Sequence, residues 1–218
     1  GGHGLSGTGP KAGGPLYLRR LLAARPSNSG LPEGAAPRAV MEDLIGWLDR
    51  NGFDPADAKR YAASSPLNVS IDFPGPVGEH NWYRLKPRGR VLCRAATRAG
   101  LLRQIAAAIA TGNRALVWCV ESSEGLADLP VSIKKLIVQV ENPLDAEAEV
   151  ALFEGDGAAL RAFQTALAAR PGPVIAVHAM PSDGLSDWDY PLEFLLSEQS
   201  LSINTAAAGG NASLMTIG

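Results

Sequence analysis

Apolar residues arrive in two rhythms along this chain, and the change between them sets the first expectation of its architecture. From residue 90 onward, short continuous apolar runs alternate with stretches of helical period. RVLCRA (90–95) precedes a helix predicted over 98–111, with Leu101, Leu102, Ile105 and Ile109 on one face and Gly112 as its stop. RALVWCV (114–120), KLIVQV (135–140), EVALFEG (149–155) and VIAVHAM (174–180) read as further strands, with a short helical piece near 123–128. A second helix is predicted over 157–169, carrying Leu160, Phe163 and Leu167 at i, i+3 and i+7. Strands that are apolar along their whole length need cover on both faces, which indicates a mostly parallel sheet between helices. The expected class is α/β, a small Rossmann-like parallel sheet with flanking helices.

The flanks follow other patterns. Residues 1–15 form a Gly-rich loop, 16–23 a short helix, and 24–36 have linker composition. Helices are predicted over 39–51, with Met41, Leu44, Ile45 and Leu48 on one face, and over 55–64, with Asp54 as N-cap. Residues 70–95 alternate extended segments with Pro-Gly turns. Beyond the sheet, 192–205 suits one or two strands of a C-terminal β-flap, and AAAGGNASLMTIG is a tail of small residues unable to build a core of its own. Such a tail frays or lies in a groove of another domain. The division expected is 1–23, 24–70 (linker and helices), 71–191 (the Rossmann-like unit) and 192–218 (flap and tail).

Composition narrows the field of functions. A net charge of −2 over 218 residues, with no basic stripe, gives no electrostatic reason to expect nucleic acid or an anionic membrane as partner. No apolar stretch approaches the roughly 20 residues a membrane helix needs. The two cysteines, Cys93 and Cys119, lie in apolar runs and read as buried strand thiols in a reducing, cytoplasmic setting. The opening Gly1-Gly2-His3-Gly4, without Met and in mid-motif, leads to the expectation of a piece of a longer polypeptide.

Candidate chemistry is sparse. Gly4 and Gly9 have the separation of a phosphate loop, but Pro10 stands where the Lys should be, and Lys11 is followed by Ala12. Close backbone packing is the better account of those glycines. His3, His80 and His178 share no metal-ligand spacing with one another or with the cysteines, so no metal site is expected. His178 reads as a buried or strand-end residue. Glu121, Glu124, Asp183, Asp187 and Asp189 read as solvated, with a contact patch around Trp188 as the other option.

Three segments carry a resemblance. GGHGLSGTGPKAGGPLYL (1–18) resembles the close of the aldehyde dehydrogenase domain in the proline utilization A (PutA) family. GPVGEHNWYRLKPRGRVLC (75–93) resembles the entry to that family's C-terminal domain, and EQSLSINTAAAGGNASLMTIG (198–218) its C-terminal motif. The resemblance implies a parent that oxidises proline to 1-pyrroline-5-carboxylate with FAD and then glutamate semialdehyde to glutamate with NAD. It implies partners in the upstream catalytic domains and in further copies of the chain (a dimer or higher), and it admits peripheral association of the parent with a membrane. The catalytic groups would all lie upstream of Gly1, with Gly1, Gly2, Ser6 and Gly7 in a loop beside the active site.

A second resemblance concerns the sheet. IAAAIATGNRALVWCVESSEG (105–125) is similar to the cofactor-binding turn of aldehyde dehydrogenases, keeping Gly112, Asn113 and Glu121 but with Trp118 where that superfamily has a ribose-binding Lys. LFEGDG (152–157) is similar to its Phe-Thr-Gly-Ser step, keeping Gly155 but with Glu154 for Thr and Asp156 for Ser. A carboxylate at that helix start caps the helix and repels a pyrophosphate. The resemblance thus implies an aldehyde-dehydrogenase-like core that keeps the fold and binds neither NAD nor FAD itself. The tail, through Ser202, Asn204, Thr205, Gly209, Gly210, Asn211 and Ser213, would cover the passage between the parent's two active sites and support channelling. The competing expectation is a working nucleotide-binding enzyme domain built on 90–180.

Overall fold

The computed structural model describes residues 10–22, 30–118, 126–182 and 189–204. Five parallel strands form its centre: β3 (Arg90–Arg94), β4 (Arg114–Val117), β5 (Ile137–Gln139), β6 (Val150–Glu154) and β7 (Ala176–Met180), in the order β5-β4-β3-β6-β7. Chain order runs outward from β3 through β4 to β5, then returns to lie β6 against β3. The order therefore reverses between β3 and β6, and the expected α/β class is the one found.

Alternation along the strands explains the cover on both faces. Val91 and Cys93 of β3, with Val150 and Leu152 of β6, join a core with α3 (Arg98–Ala110) and α1 (Arg38–Arg50). Leu92, Ala151 and Phe153 point the other way, into a core with Phe163 and Leu167 of α5 (Gly157–Ala169). Cys93 is buried, as its apolar surroundings suggest.

Helix α3 departs from the expected single apolar face: ten of its thirteen residues are buried. It lies between the sheet on one side and α1 and α2 (Ala56–Ser64) on the other, and its alanines at 106–108 and 110 are buried too. Thr97 caps it by accepting from the Gly100 N–H, and Gly112 follows its end at φ +70°. Asp54 does not stand at the cap of α2, which is Pro55, yet its Oδ1 accepts from the Ala56 N–H at 2.9 Å. Met41, Leu44 and Leu48 of α1 are buried as the periodicity predicts, with Trp47 added.

A second sheet stands beside the first. β1 (Ser70–Phe73), β2 (Glu79–Pro87) and β8 (Leu196–Asn204) pair antiparallel in the order β1-β2-β8. β8 runs against β2 over nine residues, from Glu79↔Asn204 to Pro87↔Leu196. The flap is thus not made of terminal residues alone, and within 192–205 the first four residues, Leu192–Leu195, form a short 3-10 turn. Its core is Leu16, Leu67, Val69, Tyr83, Leu85 and Leu196.

Several sequence-based bounds contract. The predicted strands at 135–140 and 174–180 pair over 137–139 and 176–180, and among the described residues of 114–120 the strand spans 114–117. The apolar run sets the length of the prediction, whereas the neighbouring strand sets the length of the ladder. The helix expected over 16–23 is a 3-10 turn at Leu18–Leu21, exposing Leu18 and Leu21. Near 123–128 there is a 3-10 turn at Leu126–Asp128.

Candidate functional site

In open α/β sheets, ligands sit outside the carboxyl ends of the strands where strand order reverses. Here that place lies between the ends of β3 and β6. Glu154, the last residue of β6, is 8% exposed, and its carboxylate turns back toward the start of α3. Oε2 accepts from the backbone N–H of Ala96 and of Thr97, both at 2.9 Å, and Oε1 accepts from the Thr97 hydroxyl at 2.9 Å. The fit is close because residue 100 is glycine: a Cβ there would come within 2.4 Å of all three Glu154 carboxyl atoms.

The neighbouring helix start is treated alike. Asp156 caps α5, its Oδ1 accepting from the Ala159 N–H at 2.7 Å, as expected for a carboxylate at this position. Between the two, the Arg94 guanidinium donates to the Glu154 carbonyl oxygen at 3.0 Å and lies 4.8 Å from the Phe153 ring centroid and 5.8 Å from that of Trp118. Trp118 stacks on Phe163 at 6.4 Å with the rings 10° apart. Gly155 has no room for a side chain, since a Cβ would stand 2.9 Å from the Phe153 ring.

A dinucleotide phosphate needs amide donors and positive potential at such a helix start. At this end of the sheet the described residues place a carboxylate at each helix start, with the Arg94 guanidinium between them.

Asn113 and Gly112 have packing and hydrogen-bonding roles. Asn113 is buried; its Nδ2 donates to the Leu195 carbonyl at 3.0 Å and to Thr111 Oγ1 at 2.8 Å, and its Oδ1 accepts from the Gly89 N–H at 2.7 Å. It joins the end of α3, the β2–β3 turn and the approach to β8. A side chain at Gly112 would meet Pro87 and Leu67 at 3.0–3.1 Å.

Other candidates fall elsewhere. Ser202 and Asn204 lie on β8, opposite Asn81 and Glu79, and the Ser202 hydroxyl donates to Glu79 at 2.7 Å. Thr205, Gly209, Gly210, Asn211 and Ser213 lie outside the described residues, as do Gly1, Gly2, Ser6, Gly7, Glu121, His3, Cys119 and the acidic residues 124, 183 and 187. Asp189 is not the freely solvated carboxylate expected: it accepts from Arg60 at 2.9 Å, from the Tyr190 N–H at 2.8 Å and from the Tyr61 hydroxyl. Burial, then the Asp189 charge, pushes the Tyr61 hydroxyl well above the usual phenol range.

His178 sits on β7 beside a groove of about 300 Å3 at the amino edge of the sheet, shared with Arg20, Arg88, Val174 and Phe194. Its ring stacks on Phe194 at 5.5 Å. Burial first, then Arg88 and Arg20, lowers its pKa to about 4, so it is neutral at pH 7. Among the described residues, no group of three or more His, Cys, Asp and Glu is placed to hold a metal, and no helix is long and apolar enough to cross a membrane.

Comparison with known proteins sets this geometry in context. No family model matches the chain. It is 43% identical over 226 residues to the bifunctional protein PutA of Rhizobium meliloti, a match that takes in 100% of the chain and 18% of that protein. It is 38% identical over 236 residues to the bifunctional protein PutA of Escherichia coli K12, again covering 100% of the chain and 18% of the relative. The chain is a segment of a PutA-type protein. Among solved structures, a mutant of Bradyrhizobium japonicum Proline Utilization A aligns with TM-score 0.55 and 20% identity over 66% of this chain and 19% of that one. The P. syringae AldA indole-3-acetaldehyde dehydrogenase aligns with TM-score 0.50 and 13% identity over 66% and 37% of the respective chains. At those identities the structural likeness speaks for the fold alone.

Sequence reasoning passed over the role of Glu154. An acidic residue closing an all-apolar strand, directly before Gly155, was a usable signal; its target, the turn before α3, lies some sixty residues earlier and emerges only once β6 pairs with β3.

Proposed function

We propose that the chain is the C-terminal segment of a bifunctional enzyme that oxidises proline to glutamate, and that within it this segment is a non-catalytic lid and assembly module. In this reading an FAD-dependent proline dehydrogenase and an NAD-dependent L-glutamate γ-semialdehyde dehydrogenase lie upstream and hold both cofactors. The parent works in the cytoplasm as a homo-oligomer. The similarity along the whole chain to proteins named bifunctional PutA supports the first half.

The second half is carried by one observation: the Glu154 carboxylate lies at the helix start where a nucleotide phosphate would have to sit. A module with its cradle filled from within contributes shape. Ser202 and Asn204 on β8 lead into Thr205, Gly209, Gly210, Asn211 and Ser213, the small and polar residues assigned to covering the passage between the two active sites.

Two measurements test this. Titration calorimetry of NAD into the chain is expected to give no heat of binding, whereas micromolar affinity would favour the competing reading of a working nucleotide-binding domain. Removing 205–218 from the complete polypeptide is expected to introduce a lag in NADH formation when proline is the substrate. Unchanged coupling would sink the lid.

A further inference from the structure

Arg88 stands, partly buried, in the turn between β2 and β3 and is tied to the start of β8. Its backbone N–H donates to the Leu195 carbonyl at 3.3 Å and its Nε to the Leu196 carbonyl at 3.2 Å. Those bonds fix the side chain, while the two terminal nitrogens of the fork make no hydrogen bond to a described residue. Glu198 and Glu149 are the carboxylates whose charge reaches Arg88, and both are engaged elsewhere. Glu198 accepts from the Lys11 N–H and the Tyr83 hydroxyl, and Glu149 from the Arg90 N–H and guanidinium. Burial outweighs their pull and lowers the Arg88 pKa. A guanidinium does not shed its proton in a protein, so the cost of burying it stays until an anion meets the fork.

Arg88 opens onto the groove of about 300 Å3 beside His178. Arg20 stands on the same groove, and the charge of both guanidiniums acts on His178. His178, neutral at pH 7, carries one ring N–H. Val174, Val177 and Phe194 supply apolar wall, the Phe194 ring lying 8° from parallel with that of His178. None of the described residues lining the groove is acidic. Small-molecule sites join apolar walls to a few placed polar groups in this way. A bare inorganic ion would leave the walls uncovered, and an ammonium would meet only cations.

We propose that this groove binds a small organic carboxylate, its anion on the terminal nitrogens of Arg88 and its apolar body against Phe194 and Val174. The planar fork pairs with a carboxylate through two parallel bonds, Arg20 adds positive potential, and His178 adds a neutral donor. An α-amino acid is disfavoured, because its ammonium finds no carboxylate in the lining. The groove lies toward the amino end of β7, away from Glu154 at the carboxyl ends of the strands, and the proposal is independent of the functional reading above.

The test is equilibrium dialysis of benzoate against the complete polypeptide, as wild type and as two variants. Benzoate bears one carboxylate on a small ring and no ammonium. The wild type is expected to bind one equivalent that Arg88→Gln binds about tenfold more weakly, since bonds to charged groups are the strong ones. Val174→Glu, at a position 54% exposed, puts a carboxylate at the groove and is expected to weaken the same equivalent without touching the core. Equal benzoate binding by all three proteins would overturn the proposal. So would a loss confined to Arg88→Gln, which would trace the effect to loosening of the β2–β3 turn. Benzylamine, inorganic phosphate and phenylalanine serve as controls. Arg88-dependent binding of any of them as tight as that of benzoate would refute a lone organic carboxylate as the group recognised.

Discussion

The Glu154 carboxylate meets Thr97 twice, accepting from its backbone N–H and from its hydroxyl at 2.9 Å each. A side chain from the end of one parallel strand thereby closes the start of the helix that follows its neighbour. The contact lies on the line along which α/β sheets admit ligands.

Replacing Glu154 with Ala leaves the Ala96 and Thr97 amides to water and an uncompensated helix start. The expected loss of stability is about 1 kcal/mol, read from urea denaturation. Sulfate is expected to raise the denaturation midpoint of the variant more than that of the wild type, because the vacated cradle again presents donors to an anion. Identical sulfate responses would mean that the amides do not form an anion site.

Asn113→Ala removes the bonds to the Leu195 carbonyl and the Gly89 N–H inside a buried joint. Leaving buried polar groups without partners costs about 1–3 kcal/mol each, so a destabilisation of at least about 2 kcal/mol is expected in thermal or urea unfolding. A loss within a few tenths of a kcal/mol would show the joint to be held by packing instead.

His178 predicts an acid limb in stability. Its folded pKa of about 4 lies below the unfolded value of 6.5, so the unfolded chain binds the extra proton between those limits. Stability is thus full above about pH 6.5 and falls as pH drops toward 4, by at most about 1.4 kcal/mol per pH unit from this residue. His178→Gln is expected to flatten that part of the profile. An unchanged slope between pH 6.5 and 4 would assign the effect to other groups.

The parallel sheet was legible in the sequence because its strands are continuous apolar runs: RVLCRA and EVALFEG announce burial on both faces before any partner is known. Ends of strands were less legible: Trp118, inside an apolar run, follows the last paired residue of β4, its N–H still donating to the Cys93 carbonyl at 3.1 Å while its ring stacks on Phe163. The flap was read only in outline, because its order depends on pairing residues near 80 with residues near 200, a separation over which local patterning carries no information. Site residues divided the same way. Asp156 could be read as a cap from its place before a helix, whereas Glu154 and Glu198 act on partners far away in sequence that the chain alone does not reveal.

The depth at which α3 is buried has a consequence for dissecting the molecule. A helix that meets the sheet on one side and α1 and α2 on the other is an inner layer, and those two helices are its outer skin. Any shortened version beginning after residue 64 would lay a nearly all-apolar helix open to water and associate through it, so the smallest piece able to stay monomeric through this sheet has to begin ahead of Arg38.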